Sequence, residues 1–68
     1  MTILLVDDHP AIRKATRDMI ESSDLGATVL ETGTVNGARA ALRRACVDIV
    51  VFDLELPDGY GADLLRVP

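Results

Sequence analysis

A parallel α/β sheet flanked by helices is the fold class that this 68-residue sequence predicts. Three features predict it. Short apolar runs rich in Val, Ile and Leu recur at Thr2–Val6, residues 27–31 and residues 47–52. Segments of helical periodicity separate them, and alternation of this kind gives parallel strands joined by right-handed crossovers. The last run is almost continuously apolar, which suits a strand covered on both faces.

The elements follow in order. Thr2-Ile3-Leu4-Leu5-Val6 stops at Asp7 and has the length and composition of a buried strand. After "DDH" comes Pro10, suited to the first turn of a helix because its missing N–H costs nothing there. Ile12, Ala15, Met19 and Ile20 then recur at helical spacing up to about Ser22, with Arg13, Lys14, Arg17 and Asp18 on the other face. Gly26 is available for a left-handed conformation that ends this unit. "ATVLE", residues 27–31, reads as a second strand. Thr32-Gly33-Thr34 is a turn able to cap a second helix from about Val35 to Ala45, despite Gly37 in its first turns. Ala38, Ala41, Leu42 and Ala45 form the inward stripe of that helix, and Arg39, Arg43 and Arg44 a solvated face. Residues 47–52 form the third strand. "ELPDG" is a turn, and a helix-like stretch begins at Tyr60 and runs to Leu65.

Composition narrows the function classes. The chain is 49% hydrophobic but 3% aromatic, so a core must be built from aliphatic residues. A formal charge of −4 argues against direct contact with nucleic acid. One cysteine, Cys46, permits no internal disulfide, fits a reducing compartment, and is expected as a small core residue. No apolar stretch approaches a membrane span, and no basic region precedes the first apolar run. The expected location is the cytoplasm.

Two strands end in acids: "ILLVDDH" at Asp7 and Asp8, and "IVVFDLELPDG" at Asp53. In an open parallel sheet, ligands bind outside the carboxyl ends of strands. If strands one and three are neighbours, Asp7, Asp8 and Asp53 converge there. Three carboxylates in one place repel unless a cation neutralises them. Oxygen donors on loops with room for water suit Mg²⁺, and a carboxylate beside it can attack a phosphoryl group. Taken one at a time, Asp7, Asp8 or His9 could instead cap the helix that opens at Pro10.

"ILLVDDHPAIR" and "DIVVFDLELPDGYGADLL" closely resemble a response-regulator receiver domain, the phosphoacceptor module of two-component signalling. The "DDHP" start and the "DLELPDGYG" turn are most similar to the group with helix-turn-helix DNA-binding outputs. The resemblance implies a flavodoxin-like fold with parallel strands in the order 2-1-3. It implies Asp53 as the aspartate phosphorylated by a histidine kinase or a small-molecule phosphodonor. It implies Mg²⁺ held by Asp8 as principal carboxylate, by Asp7 in support, by Asp53, and by the backbone carbonyl of Glu55. Pro57 and Gly59 would shape the loop after the phosphoacceptor.

The resemblance covers the first half of the family's domain. Residues 1–68 therefore read as a truncated receiver domain without an output domain. The family's later Ser/Thr, aromatic switch residue and Lys cannot be assigned, the only lysine being Lys14. The expected function is phosphoryl acceptance rather than turnover catalysis. The alternative is a non-catalytic fragment acting through pairing of strand edges. With strand three at the edge, a homo-oligomer through residues 47–52 is expected. A metal-dependent phosphatase-like protein would want a second aspartate two residues after the nucleophile, where Glu55 stands.

Overall fold

The computed structural model describes residues 1–53 and 55–60. The elements are β1 (Thr2–Val6), α1 (Pro10–Glu21), β2 (Thr28–Thr32), α2 (Val35–Arg44), β3 (Ile49–Phe52), β4 (Glu55–Leu56) and β5 (Gly59–Tyr60). Strand β1 is the middle of a parallel three-stranded sheet in the order β2-β1-β3, as expected. Four consecutive aliphatic residues, Ile3 to Val6, can occupy such a strand because both of its faces are covered, and all four are buried.

The two faces differ. Leu4 and Val6 join Val35, Ala38 and Leu56 in the core, with Leu30, Ala41, Leu42, Val47, Val50 and Phe52 packed against it. This is the α2 side, and the expected stripe of Ala38, Ala41 and Leu42 supplies its helix. Ile3 and Leu5 face the other way, toward α1, which packs on β2 and β1.

Helix α1 begins at Pro10 as expected. Ile12, Ala15 and Met19 are exposed and only Ile20 is half-buried. The helix is drawn over β2 by charge: Arg13 Nε lies 3.3 Å from Glu31 Oε1, and Arg17 pairs with the same carboxylate. On β3, Ile49 and Val51 are exposed on the face that holds Ile3 and Leu5. Among the described residues, β3 is covered on the α2 side, through Val50 and Phe52.

Three further expectations change. Cys46 is exposed rather than part of the core. It follows Ala45, which ends α2 in extended backbone, so neither the helix stripe nor the strand register turns it inward. The "ELPDG" segment is more than a turn: β4 and β5 form a short antiparallel hairpin with Leu56 opposite Gly59. Tyr60 belongs to β5, and the rest of the helix expected up to Leu65 lies outside the described residues. Gly26 takes a φ of 61°, the left-handed conformation expected of it.

Gly37 explains its own place in a helix. A Cβ there would overlap Thr32 Oγ1 and come within 2.9 Å of Thr34 Oγ1. Thr34 caps α2 by accepting from the Gly37 N–H at 2.9 Å. Gly37→Ala therefore gains about 1 kcal/mol of helix propensity but incurs overpacking of about 1–3 kcal/mol and disturbs the cap. The expected outcome is a lower urea midpoint with unchanged m-value. A midpoint raised by the substitution would show that the turn yields freely.

Candidate functional site

The register of the sheet builds the site. Val6 is paired with Thr32 on one side and Phe52 on the other, so all three strands end at the same level. The ladder continues one step further: Asp7 N–H donates to Thr32 O at 3.0 Å, and Asp53 N–H donates to Val6 O at 2.9 Å. Asp7 and Asp53 are thereby held at the carboxyl ends of adjacent strands, and Asp8 follows directly.

The expected meeting of Asp7, Asp8 and Asp53 occurs, and His9 joins it. One ligand atom from each of the four residues lies within 4.8 Å of the others. His9 Nδ1 is 2.8 Å from Asp7 Oδ1, 3.2 Å from Asp8 Oδ1 and 3.5 Å from Asp53 Oδ2. His9 is the residue preceding α1 but makes no side-chain cap. Instead Asp7 Oδ1 accepts from the His9 backbone N–H at 2.8 Å, folding the Asp7-Asp8-His9 turn back on itself. Neither Asp7 nor His9 is therefore simply a helix cap. Glu55 was expected to act through its main-chain carbonyl, and its backbone opens β4 two residues after Asp53.

Two residues at this site escaped sequence reasoning. The sequence reads His9 as a candidate cap, but its ring lies among the three carboxylates, a contact that only the sheet register creates. Arg13 reads from sequence only as one of the polar residues on the face of the first helix opposite its apolar stripe. It is half-buried, and its Nη1 donates to the Asp7 carbonyl at 2.8 Å, bracing the turn that carries Asp7 and Asp8. Only the position of α1 over the sheet reveals this.

The electrostatics follow from these contacts. The His9 backbone N–H holds the Asp7 carboxyl below the usual range, helped by the His9 ring and Arg13 against the cost of burial. The hydrogen bond to Asp7 raises the His9 imidazole above its ordinary value of 6.5, with Asp8, Asp7 and Asp53 adding to the effect. A donor set of carboxylate oxygens fits a hard cation such as Mg²⁺. The side chains of Asp7, Asp8 and Asp53 are 15%, 36% and 31% exposed, which leaves room for the waters Mg²⁺ retains.

The comparisons with known proteins agree with this geometry. The family model described as response regulator receiver domain matches residues 3–67. The chain is 38% identical over 64 residues to the DNA-binding transcriptional activator DevR/DosR of Mycobacterium tuberculosis, covering 94% of this chain and 30% of that protein. It is 34% identical to the KDP operon transcriptional regulatory protein KdpE of Escherichia coli, covering 94% and 28%. It is 32% identical to a protein-glutamate methylesterase/protein-glutamine glutaminase of Rhizobium etli, covering 94% and 18%. The chain thus spans less than a third of the length of these relatives. No solved structure matches it with comparable significance.

The raised His9 value has a testable sign. The folded site binds the imidazole proton more tightly than the unfolded chain does, so the pairing stabilises the fold fully below about pH 6.5 and is lost as pH rises through the higher folded value. In metal-free protein, the His9 ring proton resonances should titrate with a midpoint above 6.5, and Asp7→Ala should lower it. A wild-type midpoint at or below 6.5 would contradict the pairing.

Proposed function

Since the chain belongs to the response regulator receiver domain family, we propose that it accepts a phosphoryl group on Asp53. The observation that carries this reading is the position of Asp53, fixed by its N–H to Val6 O beside Asp7 and Asp8 at the carboxyl end of the sheet. A carboxylate oxygen of Asp53 attacks the phosphorus of a phosphohistidine on a histidine kinase, or of a small donor such as acetyl phosphate. The bond from phosphorus to the donor nitrogen or oxygen breaks, its electron pair leaves with the donor, and an aspartyl phosphate remains.

Asp8 is the principal carboxylate for Mg²⁺, with Asp7, Asp53 and the Glu55 backbone carbonyl completing the protein ligands. Bound there, Mg²⁺ supplies the positive charge that screens Asp53 from the phosphoryl oxygens. Arg13 and the Asp7–His9 turn orient the two ligand acids. His9 Nδ1 lies 2.8 Å from Asp7 Oδ1 and 3.2 Å from Asp8 Oδ1, against both ligand acids.

Residues 1–68 act as the N-terminal part of a receiver domain and as an acceptor rather than a turnover enzyme. DevR/DosR and KdpE are named as transcriptional regulators, which supports transcription regulation as the setting. The charge of −4 supports no direct contact of this segment with nucleic acid. Among the described residues no helix is long and apolar enough to cross a membrane. With a single cysteine, the chain is assigned to the reducing cytoplasm.

The test is incubation with acetyl phosphate and MgCl₂ followed by intact mass. The expected result is a gain of one phosphate that requires Mg²⁺ and is absent in Asp53→Asn. A folded wild-type protein without the adduct, or an Asp53→Asn variant with it, overturns the assignment.

A second reading rests on a different observation. Strand β3 lies at an edge of the described sheet, and Ile49 and Val51 are exposed on one of its faces. An apolar edge is a template for another strand, so two copies pair through residues 47–52 as a homo-oligomer. Sedimentation equilibrium at micromolar concentration should show a dimer. A folded monomer at that concentration removes this reading and leaves the phosphoacceptor role untouched.

A further inference from the structure

The loop after the phosphoacceptor is fastened to α2 at two points. Leu56 on β4 is buried in the core beside Val35 and Ala38 of α2. Two residues on, in the turn between β4 and β5, the Asp58 carboxylate accepts from two backbone amides at the start of α2. Val35 N–H donates to Oδ1 at 2.7 Å and Asn36 N–H to Oδ2 at 2.9 Å. With Thr34 accepting from the Gly37 N–H and Ala38 N–H donating to Thr34 O, all the leading amides of the helix are satisfied. The amides of Val35, Asn36 and Gly37 otherwise have no partner within the helix. The two from Asn36 and Val35 hold the Asp58 carboxyl below its usual range.

A cap normally comes from the residue just before its helix, and α2 already has one in Thr34. Asp58 reaches the same helix end from more than twenty residues away. Its placement consequently fixes the hairpin, not merely the helix. Asp53 is anchored to β1 through Val6 O, Leu56 is anchored in the core, and Asp58 is anchored on α2. Glu55 lies between the first two anchors.

We propose that Asp58 is a positioning residue for the cation and phosphoryl site: its two-oxygen grip on the amides of Val35 and Asn36 holds the β4–β5 hairpin so that the backbone at Glu55 is preset to complete the Mg²⁺ ligands. The proposal rests on the reading of Asp7, Asp8, Asp53 and Glu55 as that site. Residues that orient metal ligands from one step away commonly change affinity by about 10–100-fold when removed. Coupling of this kind is reciprocal, so Mg²⁺ should in turn tighten the grip.

Two variants separate positioning from simple capping. Asp58→Ala and Thr34→Ala each remove a cap from the same helix end, and both should lower the thermal midpoint. Titrated calorimetrically with MgCl₂, Asp58→Ala should bind about tenfold more weakly than wild type, whereas Thr34→Ala should bind like wild type. Asp58→Asn, which keeps one acceptor oxygen, should fall between and serves if Asp58→Ala does not fold. In wild type, MgCl₂ should also slow hydrogen exchange of the Val35 and Asn36 amides. Equal Mg²⁺ affinity in wild type and Asp58→Asn, or equal weakening in Asp58→Asn and Thr34→Ala, overturns the positioning role alone. A wild-type protein that binds no Mg²⁺ removes the site reading and this role together.

Discussion

The parallel pairing of β1 with β3 is the constraint on which the rest of the structure depends. Val6 stands opposite Phe52, and the Asp53 N–H closes the next rung onto Val6 O. Side chains on a strand alternate between faces, so a slip of one residue would turn Val50 and Phe52 out of the α2 core and carry Asp53 away from Asp7. Packing and site geometry are therefore set by one register. The apolar contacts that favour it are those of Leu4, Val6, Val50 and Phe52 with α2. The acids add nothing to that preference; they are brought together because the core is satisfied.

Bringing them together has a cost that the surroundings offset locally. Asp7 receives the His9 amide and ring, and Arg13 holds the Asp7 carbonyl from α1. The same helix is pulled over β2 by the shared attachment of Arg13 and Arg17 to Glu31. Exposed ion pairs contribute little to stability in general, so their effect here is best understood as orientation. They place α1 where Arg13 reaches the acidic turn, and leave Ile12 and Met19 facing solvent. Both faces of the sheet bury aliphatic residues of β1, and on the α1 side the ion pairs to Glu31 add orientation.

The opposite helix connects to the site by another route. Helix α2 contributes no side chain to the acidic cluster, yet its N-terminus receives Asp58 and its buried face receives Leu56. The segment after Asp53 is thus held by a polar contact and an apolar one. A change of charge at Asp53 would act on a backbone whose next fixed points are both on α2.

Much of this was legible in the residues. The aliphatic runs and Pro10 located the strands and the start of α1, and "DD" with the terminal Asp53 marked the site, because burial periodicity and turn chemistry are local properties. The helical spacing of Ile12, Ala15 and Met19 does not say what covers them, and Arg13 and Arg17 look like any solvated charges until Glu31 stands beside them. Cys46 was expected inside for a similar reason: apolar neighbours in sequence do not fix direction across a helix end. His9 and Asp58 could be seen as residues but not as contacts, since each acts on groups brought near by the fold. The sequence by itself determined the parallel α/β alternation, the acids at two strand ends and the glycine turns. Only the tertiary structure decided which helix face is covered, that His9 and Arg13 serve the acidic turn, and that Asp58 reaches α2. Hydrophobic patterning is written along the chain, whereas charge pairing between distant segments exists only once the register has placed them side by side.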